Sequence, residues 1–124
     1  MQTNAINWFE IPVTDFERAK KFYSTIYSYE MPEMMMGPNR MGFLPHEQGK
    51  GVGGAIVQGD VYKPSADGHK IYLSAGDDLN EVLSKVEGAG GKVIVQKIMI
   101  APELGWVAVF TDTEGNQVSI HSMN

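Results

Sequence analysis

The sequence predicts an α+β fold: two βαβββ modules in tandem, forming a curved eight-stranded mixed sheet around a cavity, with the helices outside. Three observations predict it. Strand-like apolar stretches hand over to helical spacing twice, each time at an acidic boundary. Three further strand-like stretches follow each helix. The helix starts at Asp15 and Asp78 lie 63 residues apart, half of the 124-residue chain, so the second half reads as a diverged copy of the first. One domain, 1–124, therefore contains modules 1–60 and 66–124.

Ile6 to Val13 reads as the first strand, after which Thr14 and Glu17 have the spacing of a capping box. Phe16, Ala19, Phe22, Tyr23 and Ile26 recur at three and four residues and form the buried face of a helix. Met31 to Met36, Met41 to Leu44 and Val52 to Gln58 read as three strands, separated by the turn-forming "GPNR" and "HEQGKG". "GDVYKPSADG" is a polar connector. His69 to Ala75 then reads as a strand, and Leu79, Val82, Leu83 and Val86 mark a second helix that ends at "GAGG". Lys92 to Lys97, Trp106 to Thr111 and Gln117 to His121 complete the second module, the last two joined by the turn "DTEGN". "MIAPELGW" is expected to cover the cavity mouth, with Glu103 and Trp106 near its rim.

Composition narrows the function. A net charge of −5 without a Lys/Arg cluster argues against nucleic acid as a partner. Zero cysteines exclude disulfides, thiolate metal sites and a Cys nucleophile. The first residues lack the basic and apolar regions of a signal peptide, and no apolar run reaches the ~20 residues that span a bilayer. A cytoplasmic protein with no membrane partner is expected. Gly49, Gly51 and Gly54 match G-x-G-x-x-G, but strand follows them where a nucleotide fingerprint needs a helix. Gly54 and Ala55 instead leave room for a ligand or a neighbouring strand. "PHEQG" lacks the second His of a zincin motif, and His46 is expected in water.

The stretches "IPVTDFERAKKFY" and "FTDTEGNQVSIH" resemble the vicinal oxygen chelate superfamily, which includes glyoxalase I, fosfomycin and bleomycin resistance proteins and extradiol dioxygenases. The resemblance covers essentially the whole chain. Metal-dependent members hold a divalent ion with His, Gln and Glu from the first and last strands of each half. Matched through "VTD", the first-strand position falls on Trp8, and matched through "AGDDL" its counterpart falls on His69. In the closing strand the position is Ser119, and its counterpart lies near Ala55. Only His69 is a ligand type, so the resemblance implies that the inherited metal site is lost and that no cofactor is bound. The alternative is a divalent metal on a displaced set, Glu10, His69 and His121, two residues along their strands.

Trp8 either fills the space left by an ion or gives a flat ligand a wall to stack on. Glu10, inward on an apolar strand, must be paired, solvated or protonated. It is the candidate general base or ligand anchor, against a structural partner such as a Tyr hydroxyl or backbone amide. His69, Tyr72, Ser119 and His121 are the further candidate ligand contacts. The methionines around the second and third strands form adaptable core, a subunit contact or a pliable pocket wall. Three readings follow: a small-molecule-binding protein without the usual metal; a metal-dependent lyase, isomerase or dioxygenase; and a drug-sequestering module with no turnover. The resemblance also implies a homodimer.

Overall fold

A computed structural model describes residues 4–124; residues 1–3, with which the first module was expected to begin, lie outside the described residues. The first half contains β1 (Trp8–Pro12), α1 (Phe16–Tyr27), β2 (Glu33–Met36), β3 (Asn39–Phe43) and β4 (Gly53–Gln58). The second contains β5 (Tyr72–Ser74), α2 (Asn80–Val86), β6 (Lys92–Ala101), β7 (Gly105–Thr111) and β8 (Gln117–Ser122). The order strand, helix, three strands thus occurs twice, as the sequence predicts.

The eight strands form two four-stranded mixed sheets, ordered β1-β4-β3-β2 and β5-β8-β7-β6. In each, the module's first strand runs parallel to its last, and the other ladders are antiparallel. β1 and β5 are both end strands, and no ladder joins them, so the expected eight-stranded surface is divided at this seam.

The face of α1 predicted from spacing is the one buried: Phe16, Ala19, Phe22, Tyr23 and Ile26. They belong to a single core that includes Ile11, Val13 and Ile56 of the first half and Leu73, Leu79, Phe110 and Ile120 of the second. Phe22 packs on Phe110 with ring centroids 5.7 Å apart, so α1 is shared between the halves. Burial of the larger aliphatic and aromatic side chains among them contributes roughly 1.5–3 kcal/mol each. The helices therefore lie against one face of each sheet, and the opposite faces are turned away from them.

The start of α1 corrects the expected capping box. Asp15 is the N-cap, its side chain accepting from Arg18 N at 3.1 Å, and Glu17 reaches Arg40 instead of the helix start. The remaining amides find partners far along the chain. Glu114 Oε1 accepts from Thr14 N at 2.9 Å and Asp15 N at 2.8 Å, and Gln58 Oε1 accepts from Phe16 N at 2.8 Å. Glu114 also pairs with Arg18 at 2.7 Å, its own side chain fully enclosed. Next to it, the buried Tyr23 hydroxyl donates to Asp112 Oδ2 at 2.8 Å, and Asn116 Nδ2 donates to the Pro12 carbonyl at 2.7 Å. The "DTEGN" turn is thus a clasp between the modules as well as a hairpin.

The second correction concerns "MIAPELGW". β6 continues to Ala101, so only a short turn at 102–104 separates it from β7, and no long segment covers a cavity mouth.

Candidate functional site

Alternation along β1 sends Ile11 into the helix-side core and Trp8, Glu10 and Pro12 to the other face. On β4 the same rule separates Ile56 from Ala55 and Val57, which form a second small apolar cluster with Met41, Phe43 and Tyr62. Glu10 stands opposite Ala55 on this outer face. Its carboxylate is held from two sides: Oε1 accepts from the Tyr62 hydroxyl at 2.7 Å and Oε2 from Trp8 Nε1 at 3.3 Å. The bond to Glu10 holds the Tyr62 phenol above its ordinary range, since ionising it would set two anions side by side.

Trp8 is 44% exposed and meets Phe43 edge to face, with ring centroids 6.2 Å apart. A cleft of about 530 Å³ opens beside them, lined by Trp8, Phe43, Tyr29 and His46 among others. His46 is exposed, as expected, yet its ring lies over Gly53, where a Cβ would come within 3.0 Å of Nδ1. Gly54, on the opposite face of β4, makes room for the Phe9 ring, so its space is taken by a neighbouring strand.

The other candidates are more scattered. His69 is exposed, ahead of β5, and lines a cleft of about 280 Å³ together with Glu10 and Lys63. Tyr72 is 61% exposed at the start of β5, opposite Ser119, which is 3% exposed. His121 Nε2 donates to the Leu104 carbonyl at 2.6 Å, which commits that ring to the β6–β7 turn. Glu10 and His69 are brought to one cleft, and His121 is not among its lining residues.

The ladders relate the first strands of the two halves. Pro12 pairs with Val57 and Ser74 with His121, the penultimate residues of β4 and β8. Aligned on those pairs, Glu10 corresponds to Tyr72. His69 and Lys70 precede β5, so no ladder sets either of them opposite β8. At the four positions that the resemblance implies, Trp8, Ala55, His69 and Ser119, only His69 is a ligand type, and one imidazole with an indole, a methyl and a hydroxyl does not fit a divalent ion. Among the described residues no group of three His, Cys, Asp or Glu side chains is placed to hold one either, and the displaced set Glu10, His69 and His121 does not assemble.

Tyr62 is the residue that sequence reasoning missed. Its signal was a lone aromatic in the polar connector, together with the need of Glu10 for a hydroxyl partner.

Residues 6–41 match the family model described as bleomycin resistance protein-like N-terminal. A glyoxylase-like domain-containing protein of Didymella fabae is 31% identical, over 93% of this chain and 91% of its own length. Among solved structures, TnmS3, an antibiotic binding protein from Streptomyces sp. CB03234, superposes with a TM-score of 0.65 at 21% identity, covering 98% of both chains. A glyoxalase/bleomycin resistance protein/dioxygenase family enzyme from Burkholderia phytofirmans PsJN gives 0.67 at 15% identity, covering 95% of this chain and 98% of that one. A glyoxalase I mutant from Zea mays gives 0.65 at 17%, covering 94% of this chain and 45% of that one. At these identities the structural likeness is one of fold.

Proposed function

Because the chain belongs to the glyoxalase-like proteins of the vicinal oxygen chelate superfamily, we propose that it binds a small organic molecule through Glu10, without the superfamily's usual divalent ion. The observation that carries this reading is the Glu10 carboxylate held between Trp8 Nε1 and the Tyr62 hydroxyl, on a face of aromatic and apolar groups. A carboxylate offers about four acceptor positions, so two remain for a ligand N–H or O–H. Trp8 and Phe43 supply a wall for a flat body, and His69 lines a second cleft that Glu10 also reaches. Tyr72, Ser119 and His121 belong to the corresponding strands of the second half and form its counterpart surface.

Binding without turnover, as a sequestering protein, is the second reading. It is favoured by the net charge of −5 and the already partnered carboxylate, which suit a cationic ligand. TnmS3 is described as an antibiotic binding protein, in keeping with that reading. We further propose a homodimer in the cytoplasm. Trp8, Met34, Tyr72, Ile98 and Met99 are between 44% and 61% exposed, apolar surface of the kind that a second copy covers. No helix among the described residues is long and apolar enough to cross a membrane.

The test uses the Trp106→Phe variant, which leaves Trp8 as the only indole. Titration with bleomycin and a panel of flat aromatic amines should quench its fluorescence saturably, and Glu10→Ala should weaken the tightest case by about tenfold. Native protein should carry no stoichiometric divalent metal. A tightly held ion whose removal abolishes binding would overturn the proposal.

A further inference from the structure

The seam between the sheets opens a further cleft of about 570 Å³ along β1 and β5. That volume lies in the usual range for small-ligand sites, ~300–1,000 Å³. Its walls are apolar, with Phe9 from β1, Leu44 before β4, and Ile71 and Leu73 from the β5 side. Tyr27 at the end of α1 also lines it, with its hydroxyl committed to the Ser74 carbonyl at 2.8 Å. Phe9 leaves β1 on the side opposite Trp8 and Glu10, and neither of those two lines this cleft, which borders the Trp8–Phe43 cleft at Leu44, Pro45, Gly53 and Gly54.

Its charge is unusual for this molecule. Of the fifteen described residues that line it, Lys70 alone is charged and none is acidic, in a chain whose net charge is −5. Lys70 forms no ion pair among the described residues. A neutral apolar molecule would leave the ammonium unused, and a cation would meet it as a like charge. We propose that the seam cleft binds a small organic carboxylate with an apolar body, its head on Lys70 and its body against Phe9, Ile71 and Leu73.

Isothermal titration with 4-phenylbutyrate and its neutral analogue 4-phenylbutan-1-ol tests this on the intact protein. The acid should bind at least about fivefold more tightly than the alcohol. Lys70→Gln should weaken the acid by about fivefold and Lys70→Glu by at least about tenfold, with the alcohol unchanged. Lys70 lies on the surface and outside the core, so both variants should fold. Amide shifts on binding should fall on Phe9, Ile71 and Leu73. Failure of the acid to bind, equal affinity for acid and alcohol, wild-type affinity in Lys70→Glu, or shifts confined to Ala55 and Val57 would each overturn the proposal.

Discussion

The Tyr62 hydroxyl donates to Glu10 Oε1 over 2.7 Å, although 52 residues separate the two along the chain. The connector between the modules therefore contributes directly to the outer face of the first sheet. Replacing Glu10 by Gln removes the anion that disfavours phenolate formation. Tyr62 should then titrate closer to its ordinary value of about 10, as followed by phenolate absorbance in an alkaline titration. A group whose folded pKa is raised contributes stability below its unfolded value and loses it as pH rises through the folded one. The wild type should accordingly lose part of its stability above about pH 10 that Glu10→Gln does not lose. An unchanged Tyr62 titration in the variant would show that the bond is not made in solution.

Glu114 makes the opposite prediction. Burial pushes its carboxyl upward, but hydrogen bonds from Arg18 and from the Asp15 and Thr14 amides outweigh this and bring it down to about 2. A depressed carboxylate stabilises the fold above its unfolded pKa, and that contribution fades as pH falls from about 5 to about 2. With allowance for solvent screening it is worth about 1–2 kcal/mol at neutral pH. Glu114→Gln should lower Tm at pH 7 and flatten its fall in acid, as measured by circular dichroism melts across pH.

Tyr23→Phe should cost about 1–3 kcal/mol, because it leaves a buried Asp112 oxygen short of a donor. Burial already pushes the Asp112 carboxyl up, against hydrogen bonds from Tyr23 and Asn116. Loss of the tyrosine bond raises it further, so the urea midpoint of the variant should fall most at neutral pH and recover partly in acid. A uniform loss at every pH would point to packing alone.

Gly54→Ala should destabilise by about 1–3 kcal/mol, since the added methyl would fall inside the Phe9 ring and β1 is held to β4 at that very pair. Gly37→Ala has open space around it and should lose only the smaller amount set by its positive φ of 61°. Comparison of the two denaturation midpoints separates crowding from backbone strain.

Local patterns carried much of this fold into the sequence. The five buried residues of α1 were legible because burial on one helical face follows spacing, and the strands were legible because turn residues bound them. Register was harder to read. Three residues separate β1 from α1 and five separate β5 from α2, so the acidic helix starts do not fix which residues of the two first strands correspond. The actual partners of the amides at the start of α1 were also hidden, because Glu114 comes from 100 residues away and no local motif announces it. Glu10 was found as a carboxylate on an apolar strand, whereas Tyr62 sat in a segment that reads only as polar linker.

That distant cap has a bearing on the first half taken alone. Residues 1–60 expressed without the rest would begin their helix with the Thr14 and Asp15 amides unanswered and Phe22 bare on one side, so such a fragment should hold α1 less firmly than the whole chain does.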